Sequence, residues 1–233
     1  MLKFDHVETF GWEAAIRGAR NPMNSWNKID SKWELVIDDD GTSVCSQIQY
    51  DDTFKFKPMY MLGPNDYDLC KRLIKAGSDH RKFLRMIHVQ FDVEAPLSFW
   101  KEADTYKVAT VRNSCSTMHK IHAKQFELED FSYQKLKPRA VECLKDTISE
   151  LNYWRDKFNE TKDKSDWEQM IELLPSSYNQ RATLDMNYET LKNIYHARKN
   201  HMMTEWHTFC DMIRYLPYSE FITDEWDEIS EGE

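Results

Sequence analysis

The sequence predicts an α+β fold, with a mixed or antiparallel sheet from the first half of the chain and helices in the second half. Residues 87–93 alternate apolar and polar side chains, which is the pattern of a half-buried strand. Residues 138–158 carry apolar side chains at helical spacing. Hydrophobic residues make up 41% of the chain, enough for a packed core. We therefore expect one domain over residues 1–222 and an acidic tail over 223–233.

The amino-terminal third contains the signals of a strand or short helix and of a hairpin. Residues 6–20 predict a strand or a short helix, which leads into a turn at Asn21. Residues 33–37 and 44–50 are rich in strand-forming side chains and flank an Asp-Asp-Asp-Gly turn signal. This combination predicts a β-hairpin.

Helix boundaries in the middle of the chain follow from caps and breakers. Asn65 is a candidate cap for a helix over 66–76, and Gly77 suits the position just after its end. Pro96 ends the alternating strand, and residues 97–107 are predicted to be helical.

The second half is predicted to be mostly helical. Pro138 suits the first turn of the long helix over 138–158. Asn187 suits a helix cap, and Pro217 closes the last helix of the series. The further helices are predicted over residues 167–173, 188–197 and 204–215.

Composition excludes several classes of function. A net charge of -9 argues against binding to a nucleic-acid polymer, although the region 70–125 is richer in basic residues and suits a small anionic ligand. No apolar run approaches the roughly 20 residues of a membrane span, so no membrane association is expected. Five irregularly spaced cysteines and the lack of a signal-peptide pattern predict reduced thiols and a cytoplasmic location.

Taken alone, the chemically interesting residues also fit structural roles. An isolated thiol such as Cys115 is usually unreactive unless nearby cations lower its pKa. Arg181 and Arg198 are, by themselves, typical surface cations. His119 and His122 are three residues apart, but zinc needs further ligands that their spacing does not offer, so no metal site is expected.

Four separated pieces of the sequence resemble, in the correct order, the flavin-dependent thymidylate synthases. The first piece, residues 16–20, is similar to an early Val-Arg-Ala-Ala-Arg motif, with Pro22 at the place of a serine that approaches the flavin. The second, residues 79–85, retains Phe83 and has Arg85 where the family has a flavin-contacting histidine.

The third piece covers the family's Arg-His-Arg signature and its catalytic serine. The signature positions are Thr105, Tyr106 and Lys107 in this chain, and Cys115 takes the place of the serine. The resemblance assigns Tyr106 and Lys107 to the flavin and Cys115 to catalysis.

Neighbours of the signature complete the third piece. Glu102 stands where the family often has glutamine, and Ser114 and Ser116 flank the catalytic position. The resemblance implies that these three side chains contact the nucleotide. Thr117 takes the place of an arginine that helps to hold the nucleotide.

The fourth piece begins at Leu174-Pro175 and supplies three more positions. Arg181 matches an arginine that contacts the nucleotide phosphate, and Arg198 matches one that reaches the flavin nucleotide. His207 stands where an arginine polarises the pyrimidine, and the resemblance assigns it a catalytic role.

The resemblance implies a flavoprotein of nucleotide biosynthesis, with residues 1–222 as a flavin-dependent thymidylate synthase-like domain. The implied activity is that of a methyltransferase: FAD-dependent transfer of a one-carbon unit to C5 of a pyrimidine deoxynucleotide such as dUMP. NADPH and methylenetetrahydrofolate are the implied co-substrates, and a homotetramer is the implied assembly. The alternative is a catalytically altered or inactive homologue that binds a nucleotide or flavin, or acts as an assembly protein. An altered pyrimidine modification with His207 as acid or base is a third possibility.

Overall fold

A computed structural model describes residues 2–34 and 59–226 and confirms the α+β class. The strands in these ranges are β1 (Lys3–Phe10), β2 (Lys32–Glu34), β3 (Met59–Met61), β4 (His88–Pro96), β5 (Thr110–Ser114) and β6 (Asn179–Asn187). The helices are α1 (Trp12–Arg20), α2 (Pro64–Lys75), α3 (Leu97–Ala103), α4 (Pro138–Thr161), α5 (Lys164–Leu173), α6 (Tyr188–Arg198), α7 (Thr204–Arg214) and α8 (Glu220–Thr223). None of the helices in the described part of the chain has the length and apolar character that a membrane span requires.

Four strands form the main sheet, in the order β1-β4-β6-β5. Strand β4 follows the predicted alternation, because Val89, Phe91, Val93 and Ala95 are buried while the residues between them are not. Strands β2 and β3 form a separate antiparallel pair. The predicted hairpin over 33–37 and 44–50 lies, apart from residues 33 and 34, outside the described residues.

The described chain divides into two compact units. The first, here called the α4–α5 unit, comprises residues 2–3, 92–106 and 112–183. The second, here called the α6–α7 unit, comprises the remaining described residues. Strands β4, β5 and β6 each continue from one unit into the other.

The α4–α5 unit has its own apolar core, and its long helix confirms the prediction for 138–158. Helix α4 ends when Lys162 adopts a left-handed conformation, and the side chain of Asp163 then accepts the N–H of Ser165 at the start of α5. That cap explains why α5 begins before the predicted residue 167. The core consists of Ile121, Phe126, Phe131, Leu144, Ile148, Leu151 and Met170.

The α6–α7 unit is organised around buried aromatic side chains. Asn187 caps α6 as predicted, because its side chain accepts the N–H of Thr190 at 2.9 Å. The next residue, Tyr188, is fully buried and donates its hydroxyl to the carbonyl of Pro217 at 2.5 Å. This bond fixes the chain beyond α7 to the start of α6.

Two predicted helix boundaries are wrong for identifiable reasons. The helix predicted over 97–107 ends at Ala103, and the hydroxyl of Thr105 donates to the carbonyl of Glu102 at 2.7 Å. Asn65 lies inside the first turn of α2 rather than at its cap. The carboxylate of Asp30 instead accepts the first N–H groups of that helix, a long-range cap that local sequence does not reveal.

The segment predicted as a strand or short helix over 6–20 contains both. Strand β1 ends at Phe10 and α1 begins at Trp12, with Gly11 between them at φ 90°. A Cβ atom at Gly11 would lie 2.1 Å from the carbonyl oxygen of Met86, so only glycine fits this corner.

A buried ion pair joins α1 to α2. The side chains of Arg20 and Asp66 are 6% and 0% exposed, and Arg20 Nε donates to Asp66 Oδ1 at 2.8 Å. Asp66 Oδ2 accepts the hydroxyl and N–H of Ser31 and the N–H of Asp30. Burial alone would raise the pKa of Asp66, but hydrogen bonds from Ser31 and Arg20 together outweigh it and lower that pKa.

Replacing the buried carboxylate should strongly destabilise the fold. We expect Asp66→Asn to lower the free energy of unfolding by about 3–5 kcal/mol, because it leaves the guanidinium of Arg20 buried without a counter-charge. Chemical denaturation followed by circular dichroism measures the difference. Asp68→Asn is the matched control on the same helix, since Asp68 is 63% exposed in its pair with Arg72. It should change the free energy by less than about 1 kcal/mol.

The acid stability of Asp66→Asn, compared with that of wild type, tests the electrostatic origin of this effect. A carboxylate with a lowered folded pKa stabilises the protein above its ordinary pKa of about 3.9, and that contribution disappears as the pH falls through the folded value. Asp66→Asn should therefore lose less stability than wild type when the pH is lowered from 5 into the acid range. An identical acid profile for both proteins would contradict the role given to the Asp66 charge.

Candidate functional site

The segment 114–116 is held by its backbone while its side chains are exposed. The N–H of Cys115 donates to the carbonyl of Arg181 at 2.9 Å, and Gln180 Nε2 donates to the carbonyl of Cys115 at 2.5 Å. Ser114, Cys115 and Ser116 are all exposed. The structure thus brings together Cys115 and Arg181, two predicted site residues that are far apart in sequence.

Arg181 is oriented by a carboxylate on the neighbouring strand. Its guanidinium lies 2.7 Å from Asp92 Oδ2, and the hydroxyl of Thr183 donates to Asp92 Oδ1 at 2.5 Å. The Arg181 side chain is 50% exposed. A cation in this position lies at the surface of the sheet with a fixed direction, which is a suitable arrangement for a phosphate ligand.

The signature positions follow the end of α3. Glu102 is half-buried in the last turn, and the N–H of Tyr106 donates to the carbonyl of Ala103 at 3.0 Å. Tyr106 is half-buried, whereas Lys107 is exposed and belongs to the α6–α7 unit. The site residues predicted for the α4–α5 unit are therefore Glu102, Tyr106, Ser114, Cys115, Ser116 and Arg181.

In the α6–α7 unit, Arg198 lies over a buried indole and His207 contacts the carbonyl of His201. The guanidinium of Arg198, at the end of α6, lies 4.8 Å from the ring centroid of Trp206, which is 1% exposed. His207 is exposed in the first turn of α7, and its Nε2 lies 2.7 Å from the carbonyl of His201. Because a carbonyl only accepts, Nε2 carries a hydrogen in this arrangement and Nδ1 is the atom left to accept a proton.

Arg85 lies on a different element of the same unit. It is exposed in the short turn Lys82–Met86, where Phe83 is buried in the core. The neighbouring Arg81 forms a two-pronged bond to the carboxylate of Glu189, at 2.9 and 3.0 Å. Phe83 therefore has a packing role, and Arg85, like Lys82, is an exposed cation of this turn.

Sequence reasoning missed a buried lysine that anchors the segment after α8. Lys192 is 3% exposed, and its ammonium lies 2.6 Å from Asp224 Oδ2. Burial lowers the pKa of Lys192, although the bond to Asp224 opposes that effect. His196 Nε2 lies 3.0 Å from the same oxygen, and Glu225 contacts Arg214. Part of the predicted acidic tail thus binds the helices, while residues 227–233 lie outside the described part of the chain.

It also missed Arg112, Gln180 and Asp92, which hold the predicted residues in place. The only available signal was the position of Arg112 in the same polar segment as Cys115. Within residues 2–34 and 59–226, no three His, Cys, Asp or Glu side chains converge as metal ligands.

Comparison with known proteins identifies the fold. A crystal structure of thymidylate synthase X from Helicobacter pylori with FAD and dUMP matches with a TM-score of 0.65 and 14% identity, over 97% of both chains. A structure of the flavin-dependent thymidylate synthase of the same organism, complexed with FAD and dUMP, matches with a TM-score of 0.61 and 15% identity, over 95% of this chain and 98% of that one. No family model matches the chain, and no curated protein matches its sequence. The resemblance stated from the sequence is thus confirmed at the level of the fold.

The described cysteines should divide into two classes of reactivity. Cys115 and Cys143 are exposed, whereas burial raises the pKa of the Cys70 thiol and raises that of Cys210 to about 11. Under native conditions at pH 8, we expect iodoacetamide to modify the first two and to spare the buried pair. Mass spectrometry of peptides after timed alkylation measures this. Rapid native modification of Cys70 would contradict the packing around α2.

Proposed function

We propose that this chain is a divergent relative of the flavin-dependent thymidylate synthases that binds FAD and a dUMP-like nucleotide. In this proposal it transfers a one-carbon unit to C5 of the pyrimidine, with NADPH and methylenetetrahydrofolate as co-substrates. The observation that carries the proposal is the backbone bond between Cys115 and Arg181. It joins two pieces of the resemblance that the sequence places far apart, on a fold shared with structures that hold FAD and dUMP.

The residues proposed for FAD have suitable chemistry. The Arg198 guanidinium lies over the Trp206 ring, and the edge of a guanidinium carries donors whose fork geometry matches phosphate oxygens. Such an edge suits a diphosphate. Arg85 and Lys107 add exposed cations, and the ring of Tyr106 offers a surface for stacking. When bound, FAD supplies the hydride chemistry that no side chain can perform.

The chain's own residues would bind the nucleotide and manage its charge. Arg181, oriented by Asp92, is proposed to hold the nucleotide phosphate, with Glu102, Ser114 and Ser116 as polar contacts. A cationic or hydrogen-bonding group beside the pyrimidine carbonyl stabilises negative charge as C5 becomes nucleophilic. We assign that task to His207 in its imidazolium form, in which Nε2 donates to the carbonyl of His201 and the hydrogen on Nδ1 is the one that the pyrimidine carbonyl would accept. Cys115 is proposed to act where the relatives use a serine.

A second candidate is a homologue that binds a flavin or nucleotide without the standard reaction, or that serves only in assembly. Thr105 favours it, because its hydroxyl ends α3 and brings no charge to a position where the resemblance expects an arginine. Homotetramer formation is proposed from the resemblance alone, and a cytoplasmic location from the cysteine usage of the sequence.

Flavin content is the first test. We expect the purified protein to be yellow, to absorb in the flavin bands, and to melt at a higher temperature when FAD or dUMP is added, because ligands that bind only the folded state stabilise it. A colourless protein whose melting temperature responds to neither compound would remove both the enzyme and the ligand-binding candidates, and would leave the assembly role. Turnover of dUMP by the flavin-loaded protein separates the first candidate from the second.

The role of Arg198 can be tested by substitution. We expect Arg198→Ala to weaken FAD binding by about tenfold or more, because it removes charged hydrogen bonds worth roughly 1.5–3 kcal/mol. Arg72→Ala is the control, since Arg72 is an exposed arginine on α2 that pairs with Asp68. Fluorescence titration of FAD gives both affinities, and equal affinity in Arg198→Ala and wild type would contradict the assignment of Arg198.

A further inference from the structure

The Cys115 segment is fixed by a network that runs through one buried amide. Gln180 is 9% exposed, and its side chain donates to the carbonyl of Cys115. The amide oxygen of Gln180 accepts a bond from Arg112 at 2.6 Å. A buried amide that is bonded at both ends has little freedom, so the position of Arg112 determines where the carbonyl of Cys115 is held.

Arg112 is itself fixed on three sides. Its guanidinium lies 4.0 Å from the ring centroid of Trp100, 2.6 Å from Gln180 Oε1 and 2.5 Å from Asp104 Oδ1. The indole N–H of Trp100 donates to the carbonyls of Ala95 and Gln180, so the stacking surface is anchored as well. Only 20% of the Arg112 side chain is exposed.

This network connects the segment after α3, which carries Thr105 and Tyr106, with the segment that carries Cys115. Asp104 immediately follows α3 and precedes Thr105 and Tyr106, while Gln180 holds Cys115. One guanidinium therefore sets the separation between the end of α3 and the Cys115 segment. A lysine cannot do the same, because it lacks the flat fork that stacks on an indole and bonds two acceptors at once.

We propose that Arg112, acting through Gln180, is a positioning residue that holds the segment 114–116 in place for the nucleotide. This inference rests on the proposed function, in which Cys115 occupies the place of a catalytic serine. Arg112 acts on the segment indirectly, through the amide of Gln180. Its effect on the ligand is indirect and depends on the geometry of the Cys115 backbone.

The test compares Arg112→Lys with Arg155→Lys, using two measurements. Arg155 is a matched control, because it lies in the same unit, is 17% exposed and also pairs with an exposed aspartate. The first measurement is hydrogen exchange across residues 113–118 without ligand. The second is the concentration of dUMP that halves the alkylation rate of Cys115 in the flavin-loaded protein, with the exposed Cys143 as an internal reference.

We expect Arg112→Lys to accelerate exchange in residues 113–118 by about tenfold and to raise the protecting dUMP concentration by about tenfold. Arg155→Lys should leave both unchanged, and alkylation of Cys143 should stay constant throughout. Unchanged exchange in Arg112→Lys would overturn the inference. Faster exchange with an unchanged protecting dUMP concentration would also overturn it, because Arg112 would then be needed only for the local order of the segment.

The design separates this inference from the proposed function. If dUMP fails to protect Cys115 in the wild type and in both variants, the proposed function fails. The role of Arg112 in holding the segment still stands if hydrogen exchange responds to Arg112→Lys as expected. If Arg112→Lys does not unfold cooperatively, Gln180→Met takes its place. That variant keeps the side-chain volume and breaks the bond to the carbonyl of Cys115, so the same two results are expected of it and the same failures would overturn the inference.

Discussion

The buried ion pair between Asp66 and Arg20 constrains how helices α1 and α2 pack in the α6–α7 unit. Asp66 is removed from water, and a buried carboxylate is tolerated only when its oxygens are fully hydrogen-bonded and a cation lies beside it. Arg20, Ser31 and the backbone at Asp30 meet that demand together. Asp30 in turn caps α2, the helix that carries Asp66. Each part of this arrangement therefore requires the others, so helices α1 and α2 and the backbone at Asp30 and Ser31 form one cooperative element.

The ion pair with Asp66 gives a structural role to an arginine in the early motif of the resemblance. Residues 16–20 match the relatives in their arginine frame, although Pro22 stands where a serine would approach the flavin. In this chain Arg20 points inward and serves the Asp66 pair. Because Arg20 has a structural partner, the presence of this motif alone is not evidence for cofactor binding. A fold shared at 14% identity agrees with that interpretation.

Local patterns predicted those elements whose stability is local. The stripe of α4, the alternation of β4 and the Asn187 cap were all recognisable, because one face or one side chain decides each of them. Strand β6 was not predicted, because its buried face begins with Gln180 and Ala182, which give a weak apolar signal. The candidate site was predicted from residue types, whereas the geometry around those residues depends on partners such as Asp92, which lies about ninety positions from Arg181. Pairings across a sheet leave no periodic trace in a single sequence.

The distribution of arginines shows how this chain departs from the relatives it resembles. Thr105, Thr117 and His207 occupy positions where the resemblance expects arginine. The signature segment nevertheless keeps a guanidinium at Arg112, where it faces Trp100, Asp104 and Gln180. Arg112 is therefore engaged by groups of the protein itself, whereas the side chain of Arg181 is 50% exposed. Under the proposed function, Gln180 and Arg112 hold the backbone of the Cys115 segment, while Lys107, Arg181 and Arg198 supply the positive charge for an anionic ligand. In the proposed site, the residues that hold the backbone differ from those that would bring positive charge to a ligand, so substitutions can test the two properties separately.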